Sequence, residues 1–252
     1  MQLLLQFHGD LAFFLTAEAR EQPVRRTLFE KTSIKDAIEA CGIPHTEVDL
    51  ILCDGFPVAF SHQLTGDTEI DIYPPSSSPQ EFAVNRLQER RVTEFVADGH
   101  LGKLARDLRL LGFDVAYEAL ADDATLLRIS VGENRALLTR DRRLLMHAVV
   151  RHGYCPRSDS PEEQTIEVLR RFDLQTLLAP FSRCLMCNAA LARANKADVL
   201  DQLEPLTKVY YNDFRRCIAC GKIYWAGSHF AKLQSRIRRI QNAVGWRQKV
   251  DN

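Results

Sequence analysis

The chain lacks a long apolar run, and its opening is not expected to be a leader. No apolar stretch approaches the roughly 18 to 20 residues that a membrane-spanning helix needs, so the sequence predicts no transmembrane segment. The opening MQLLLQFHGD has no basic region and its apolar run stops at His8, which predicts no signal peptide. Long repeats and low-complexity runs are also absent. These features predict a reducing, cytoplasmic setting, in which cysteines are metal ligands or core residues more often than disulfides.

Acidic residues are scarce at the C-terminal end. The 33 basic and 33 acidic residues cancel overall. However, residues 1–80 hold 5 Lys/Arg against 12 Asp/Glu, whereas residues 81–252 hold 28 against 21. Residues 215–252 carry 9 basic residues and a single acid, Asp251. A segment with this charge suits a polyanion.

A Pro- and Ser-rich stretch, YPPSSSPQE at residues 73–81, is predicted to be a linker. Before it, the order strand, strand, helix, strand, strand predicts a β-grasp domain over residues 1–75. This stretch is similar to ubiquitin-like and sulfur-carrier proteins. Those carriers end in a free Gly-Gly, whereas the corresponding end here is Tyr73-Pro74-Pro75 and runs on into more chain. The domain is therefore expected to have a structural role or to dock a protein partner.

Strands alternate with helices after the linker. A polar helix is expected in QEFAVNRLQERR, and the strands TEFVA, FDVAYE, ALLT and YCPR alternate with the helices HLGKLARDLRLLG, DDATLLRISVGEN, DRRLLMHAVVRHG and SPEEQTIEVLRRF. Gly112 is placed to cap the first of these helices. Ser160 and Glu163 are predicted to form a capping box at the start of the last. The alternation indicates crossover units and a parallel sheet, so residues 92–175 are predicted to form an α/β domain.

Acids follow the strands of this predicted sheet. Asp98 comes after TEFVA, Asp141 after ALLTR and Asp159 after YCPRS, while Asp123 starts a helix. Ligands of a parallel α/β sheet bind outside the carboxyl ends of its strands, and carboxylates that converge there need cations between them. Mg²⁺ and Mn²⁺ are the oxygen-seeking ions for such a set, and they promote attack on a phosphodiester. The four acids are therefore predicted to be catalytic, with Asp98 and Asp141 as metal ligands.

Each acid also has a structural interpretation. Asp122 and Asp123 are both candidates to cap the helix that starts there, and Asp122 is assigned that role. Asp141 is a candidate cap for the following helix, and Asp159 is a candidate turn residue. Asp98 is the hardest to explain structurally, because a lone acid before Gly at a strand end has little structural use.

The chain resembles the Mut-seven C-terminal RNase-like family, a branch of the PIN-domain nucleases, in FVADGHLGKLARDLRLLGFDV, ALLTRDRRLL and RSDSPEEQ. Bacterial members of this family carry a β-grasp domain in front, so the resemblance covers essentially the whole chain. It implies a PIN-like fold, an RNA substrate and an RNase active site on Asp98, Asp123, Asp141 and Asp159. PIN nucleases usually carry Glu on the middle helix, and Asp123 is shorter by one methylene. The alternative is a catalytically silent protein that binds a structured RNA such as tRNA.

Two CxxC pairs, in RCLMCN and RRCIACGKIYW, are separated by 29 residues. Four thiolates in this pattern surround one tetrahedral zinc ion and leave no open position, so the zinc is expected to be structural. Two redox dithiols are the alternative, but neither CxxC opens a helix. A small helix is expected in KADVLDQL, and the resembled family also carries a zinc ribbon followed by YW and GSH. The predicted zinc ligands are Cys184, Cys187, Cys217 and Cys220.

Residues 180–246 are predicted to form the zinc ribbon and a basic C-terminal helix, which lies in the segment SHFAKLQSRIRRIQNAVGWRQK, residues 228–249. Its cations, Lys249 among them, offer phosphate contacts, and nearby aromatic rings offer stacking faces for unpaired bases. Further basic residues flank the predicted catalytic acids, although Arg106 has the alternative of pairing with a neighbouring acid, and a basic helix is often only a solvated face. The predicted RNA contacts are Lys103, Arg106, Arg140, Arg157, Trp225, His229, Arg236 and Arg239.

Overall fold

The computed structural model describes residues 1–246, so Lys249 lies outside the described residues. The first elements are β1 Gln2–Phe7, α1 Ala17–Glu21, β2 Val24–Thr27, β3 Thr32–Ser33, α2 Ile34–Glu39, β4 Leu50–Cys53, β5 Phe56–Pro57, β6 Gln63–Leu64 and β7 Thr68–Tyr73. Next come β8 Glu94–Ala97, α3 Gly102–Leu110, β9 Asp114–Tyr117, α4 Asp123–Gly132, β10 Ala136–Leu138, α5 Arg142–Leu145, β11 Gly153–Tyr154 and α6 Pro161–Arg171. The last are β12 Leu191–Ala194, α7 Lys196–Val199, α8 Pro205–Tyr210, β13 Phe214–Cys217, β14 Ile223–Tyr224 and α9 Phe230–Ala243.

The chain divides into two compact units. The first unit contains Met1–Val92 and Ala121–Arg157, and the second contains Thr93–Leu120 and the residues from Ser158 on. Between residues 1 and 246, no helix has both the length and the apolar character that a membrane crossing requires.

The first unit begins with a five-stranded sheet in the order β2-β1-β7-β4-β5. Strands β1 and β7 are parallel, and their neighbours are antiparallel to them. Alternate residues of β1, Leu3 and Leu5 among them, are buried on one face. Helix α2 turns Ile34 and Ile38 into the same core, and the Ser33 hydroxyl caps it by accepting from the Asp36 N–H. The predicted β-grasp order is confirmed, with the short strands β3, β5 and β6 in addition.

The same unit contains α4, β10, α5 and β11. Strands β10 and β11 are parallel, with Leu137 opposite Gly153 and Leu138 opposite Tyr154. The prediction of one long helix in DRRLLMHAVVRHG is wrong, because α5 ends at Leu145. The chain turns there, and the carbonyl of Val150 accepts a 2.8 Å hydrogen bond from Nε2 of His45 in the β-grasp domain. A tertiary contact thus overrides the local helical pattern.

The segment after the linker is also not the predicted helix. Residues Gln80–Asn85 form a 3-10 turn that is kinked at Phe82. The chain then runs extended, because the backbone N–H groups of Leu87 and Gln88 donate to the carbonyl and the carboxylate of buried Asp49, at 2.7 and 3.1 Å. Asp49 therefore fixes the segment by long-range hydrogen bonds that no local periodicity reveals.

The second unit pairs β8 with β9 in parallel through the crossover helix α3. Phe95 of β8 is fully buried and stacks edge-on against Phe172, with ring centroids 5.4 Å apart. Helix α3 ends at Leu110, and Gly112 terminates it as predicted, since Gly112 has φ of 99° and a Cβ there would lie 2.4 Å from the Ala179 carbonyl oxygen. The capping box predicted for α6 is wrong, because the Ser160 side chain makes no cap hydrogen bond.

The ribbon within this unit is a three-stranded antiparallel sheet in the order β12-β13-β14. The helix predicted in KADVLDQL is confirmed as α7, which continues into a 3-10 turn. Val199 and Leu203 from this insertion pack on Phe214 of β13 and form a small core. The insertion therefore covers part of one face of the ribbon sheet.

Candidate functional site

Asp98 directly follows β8 and begins a 3-10 turn. Its Oδ1 accepts a long 3.4 Å hydrogen bond from the His100 N–H, and the side chain is half-buried. Gly99 is needed here, because a Cβ at this position would lie 2.4 Å from the carbonyl oxygen of Ala119. The acid thus has a local structural use, contrary to the expectation from sequence.

Asp141 caps the short helix α5. Its Oδ1 accepts from the N–H groups of Arg143 and Leu144 at 2.8 and 3.2 Å. Asp141 therefore caps the following helix, which was its alternative interpretation from sequence. Both hydrogen bonds use the same carboxylate oxygen. The side chain remains exposed, which leaves the second oxygen accessible to a ligand.

Asp123 and Asp159 are exposed acids beside two other helices. Asp123 is the first residue of α4, and the cap is its neighbour Asp122, whose Oδ1 accepts from the Thr125 N–H at 2.8 Å. The assignment of Asp122 as the cap is confirmed, which leaves Asp123 without that role. Asp159 lies in the bend before α6. Asp123 and Asp141 thus belong to the first unit, and Asp98 and Asp159 to the second.

The four predicted cysteine ligands come together in the ribbon. All their Sγ atoms lie within 4.8 Å of one another, with 3.7 Å between Cys184 and Cys220 and 3.3 Å between Cys187 and Cys217. Thiolates bound to one zinc ion at about 2.3 Å in a tetrahedron lie a little under 4 Å apart, so the set has the arrangement of a zinc ribbon. The clustering of the four cysteines, predicted from their spacing, is confirmed.

Hydrogen bonds favour the thiolate form of Cys184. Burial raises the pKa of this thiol, but the N–H groups of Cys187 and Met186 and the hydroxyl of Tyr224 outweigh that effect and lower the pKa to about 6. The Tyr224 hydroxyl lies 3.1 Å from Sγ and also accepts from the Leu185 N–H. Tyr224, at the end of β14, thus supports the loop that carries the first CxxC pair.

Arg109 on α3 also contacts the loop that carries the first CxxC pair. Its Nη1 donates to the Met186 carbonyl at 2.9 Å, and its Nε and Nη2 donate to the Val115 carbonyl at 3.1 and 2.7 Å. Arg109 is 6% exposed, so it is a buried residue that joins β9 to the loop of the cysteine cluster by hydrogen bonds. Sequence reasoning missed this residue, because its partner lies 77 positions along the chain.

Two protein-family models match the chain. The Mut7-C RNAse domain matches residues 93–237, and the Mut7-C ubiquitin domain matches residues 1–80. The chain belongs to the Mut7-C RNAse domain family. No curated protein and no solved structure matches it. The order of a ubiquitin-like domain followed by a Mut7-C RNAse domain confirms the resemblance recognised from the sequence.

Two of the predicted RNA contacts, both on α9, are paired with acids. Arg236 on α9 donates to Asp107 at 2.5 Å, and Arg239 donates to both carboxylate oxygens of Glu162, at 2.8 and 2.7 Å. These pairs join α9 to α3 and α6. Their role in RNA binding stays a prediction, but in the structure they hold a helix in place.

The other predicted RNA contacts differ in exposure. Arg157 forms an ion pair with Glu47, with Nη2 2.7 Å from Oε2. Arg140 donates to the carbonyls of Pro156 and Arg157. The remaining four Mut7-C RNAse domain residues in this set are accessible to a ligand, two on α3 and two near the start of α9, namely Lys103, Arg106, Trp225 and His229.

Proposed function

We propose that the protein is a divalent-metal-dependent ribonuclease of the PIN-like class. The observation that carries the proposal is the match to the Mut7-C RNAse domain over residues 93–237, in which Asp98 directly follows β8 and Asp141 lies between β10 and α5. The substrate is RNA, and the predicted contacts at Lys103, Arg106, Trp225 and His229 are exposed enough to meet it.

Asp98, Asp123, Asp141 and Asp159 are the residues proposed to hold Mg²⁺ or Mn²⁺. Their donor atoms fit, because hard divalent ions take carboxylate oxygens. Asp123, Asp141 and Asp159 are exposed, and Asp98 is half-buried at the end of β8. A bound ion of this kind would activate water and stabilise the charge that develops on the phosphodiester. The exposed basic side chains would position the RNA backbone.

The four cysteines are proposed to hold a structural zinc ion, and a reducing, cytoplasmic setting is proposed with it, in keeping with the expectation from sequence. Purified protein should contain one zinc per chain by elemental analysis. Cys220→Ser should lose it and should increase hydrogen exchange across the ribbon strands. Zinc content unchanged in that variant would contradict the assignment.

Cleavage assays on neighbouring acids test the catalytic proposal. Labelled RNA incubated with Mn²⁺ should be cut by the full chain, and Asp98→Asn and Asp123→Asn should each lower the rate at least about a hundredfold, as expected when a metal ligand is removed. Asp122→Ala is the matched control. It removes a helix cap and should lower stability slightly while cleavage is retained. Metal-dependent cutting that is undiminished in Asp98→Asn would remove these acids from the mechanism.

A second candidate is an RNA-binding protein without turnover. The observation that favours it is that Asp98 and Asp141 both accept hydrogen bonds from backbone N–H groups at helix starts, which gives each a structural reason to be present. Binding of a structured RNA such as tRNA, with no cleavage in Mg²⁺ or Mn²⁺, would support it. A protein partner for the ubiquitin-like domain is a further possibility that pull-down with the full chain would test.

A further inference from the structure

The ribbon sheet places two arginines side by side. Arg193 of β12 lies directly opposite Arg215 of β13, and both are exposed. Residues opposite each other in an antiparallel pair share one face of the sheet, with Cβ atoms about 5 Å apart. Like charges at such a pair destabilise the sheet. The arrangement therefore costs stability unless an anion neutralises it.

The two arginines point away from the covered face of the sheet. Ala194 and Phe214, their neighbours along the strands, pack in the small core with Val199. Because side chains alternate between the faces of a strand, Arg193 and Arg215 lie on the other face. The insertion between the cysteine pairs thus packs on one side of the sheet at Ala194 and Phe214, while Arg193 and Arg215 are exposed on the other side.

No acid within residues 1–246 forms an ion pair with either arginine. Arg215 donates from Nη1 to the backbone carbonyl of Phe181 at 2.8 Å, which orients the guanidinium without cancelling its charge. By contrast, Arg236 and Arg239 each form an ion pair with a carboxylate. The uncompensated charge of the ribbon sheet therefore lies where no RNA contact was predicted.

We propose that Arg193 and Arg215 form a phosphate-binding face that contacts the backbone of single-stranded RNA. The choice of RNA as the polyanion rests on the proposed function. A guanidinium presents a planar set of donors that matches a phosphate group, and two adjacent ones suit a chain of phosphates. The face supplies affinity and orientation and takes no part in bond cleavage.

RNA binding at several salt concentrations tests this face separately from cleavage. The full chain carrying Asp98→Asn is titrated against a fluorescent single-stranded RNA without added Mg²⁺ or Mn²⁺, and anisotropy is recorded. Replacing both Arg193 and Arg215 by Ala should weaken binding roughly tenfold or more at low salt. It should also make the slope of log affinity against log salt shallower by about 1.4, since each phosphate contact on a single strand contributes about 0.7.

Two further variants separate binding from folding. Replacing both Lys196 and Lys208 by Ala removes the same charge from the insertion and should leave the salt slope unchanged. Arg193→Glu places opposite charges across the strands, so it should keep or raise the melting temperature while it weakens RNA binding.

An unchanged salt slope in the double arginine variant, equal loss in the lysine variant, or no RNA binding by the parent chain would overturn the inference. Binding that depends on the two arginines in a chain that never cuts RNA would uphold this face and reject the nuclease proposal.

Discussion

Glu47 is a charged residue in the interior of the first unit, with 1% exposure. Its two carboxylate oxygens accept from Arg157 at 3.1 and 2.7 Å, and Oε1 also accepts from the Cys155 N–H at 2.7 Å. The carboxylate raises the pKa of Arg157 far above its usual value and outweighs the lowering by burial. The Arg157 guanidinium also lies 4.9 Å from the ring centroid of Phe14. One buried residue thus joins the β-grasp domain to β11.

Replacing Glu47 by Ala should lower the free energy of unfolding by about 3 to 5 kcal/mol, because it removes the bidentate carboxylate partner of the buried Arg157 guanidinium and leaves the longer 3.4 Å contact to Asp10. Urea unfolding followed by circular dichroism measures this loss. Glu133→Ala is the control, since the Glu133 side chain that pairs with Arg135 is 54% exposed and its removal should cost less than about 1 kcal/mol. Equal effects of the two substitutions would show that Glu47 contributes no more than a surface pair.

Single residues also show how far the site was predictable. Cys184 and Cys220 are brought together as their spacing indicates, because a CxxC pair folds locally and needs only one partner pair. The ion pair of Arg236 with Asp107 could not be predicted, because the two residues lie 129 positions apart and leave no trace in the local pattern. Long-range ion pairs of this kind are invisible to charge counting along a helix.

Helix α9 is held to its neighbours by charged contacts with opposite responses to pH. Burial raises the pKa of Asp107 on α3 to about 6, and the nearby Arg236 only partly offsets this. The Arg239 hydrogen bond instead lowers the pKa of Glu162 on α6. The Arg170 side chain also donates to the Ala243 carbonyl at the end of α9.

The raised pKa of Asp107 predicts that its contribution to stability falls as the pH rises. The folded state binds the proton more tightly than the unfolded chain, so this contribution is complete below about pH 4 and is lost as the pH rises through about 6. Between pH 5 and 7, the unfolding free energy of the parent chain should therefore fall relative to that of Asp107→Asn, by on the order of 1 to 2 kcal/mol. Denaturant unfolding of both proteins in zinc-containing buffers measures the difference.

Glu162→Gln supplies the control for this trend. Its lowered pKa means that the parent chain gains stability relative to the variant as the pH rises through the acid range, which is the opposite sign. If Asp107→Asn and the parent chain showed parallel pH profiles, Asp107 would titrate as an ordinary surface acid.

Whole elements were predicted well where their apolar pattern is strong and poorly where polar contacts fix the chain. Helix α3 and strand β8 lie where the periodicity of Leu104, Leu108 and Phe95 indicates, since burial of those side chains is what orders them. The expected helix after the linker fails because Asp49 captures the backbone of Leu87 and Gln88. The periodicity of apolar residues indicates which side chains are buried. It carries no information on a buried carboxylate that bonds to a distant backbone.

At the scale of the whole molecule, the chain connecting the acidic N-terminal domain to the rest is anchored at both ends. Ser78 donates to Asp49 at 3.2 Å, and Arg86 donates to the same carboxylate at 3.0 Å. Beyond the chain connection, His45 bonds to the Val150 carbonyl, and Arg142 donates to the Phe14 carbonyl at 3.0 Å. The β-grasp domain is thus built into the first unit by side-chain contacts and does not depend on the linker alone.

A cut in the connecting chain tests whether those contacts suffice. A protease site inserted between Ala83 and Val84 lies in an exposed stretch, with Val84 92% exposed. After cleavage, the two fragments should co-elute on size exclusion, because the buried Glu47–Arg157 pair and the Asp49 hydrogen bonds still cross the cut. The same cut in Glu47→Ala should release the N-terminal fragment at lower denaturant concentration. If the fragments of the parent chain separated in buffer alone, the domain would be held by its covalent tether, and the contacts at Glu47 and Asp49 would be too weak to define the first unit.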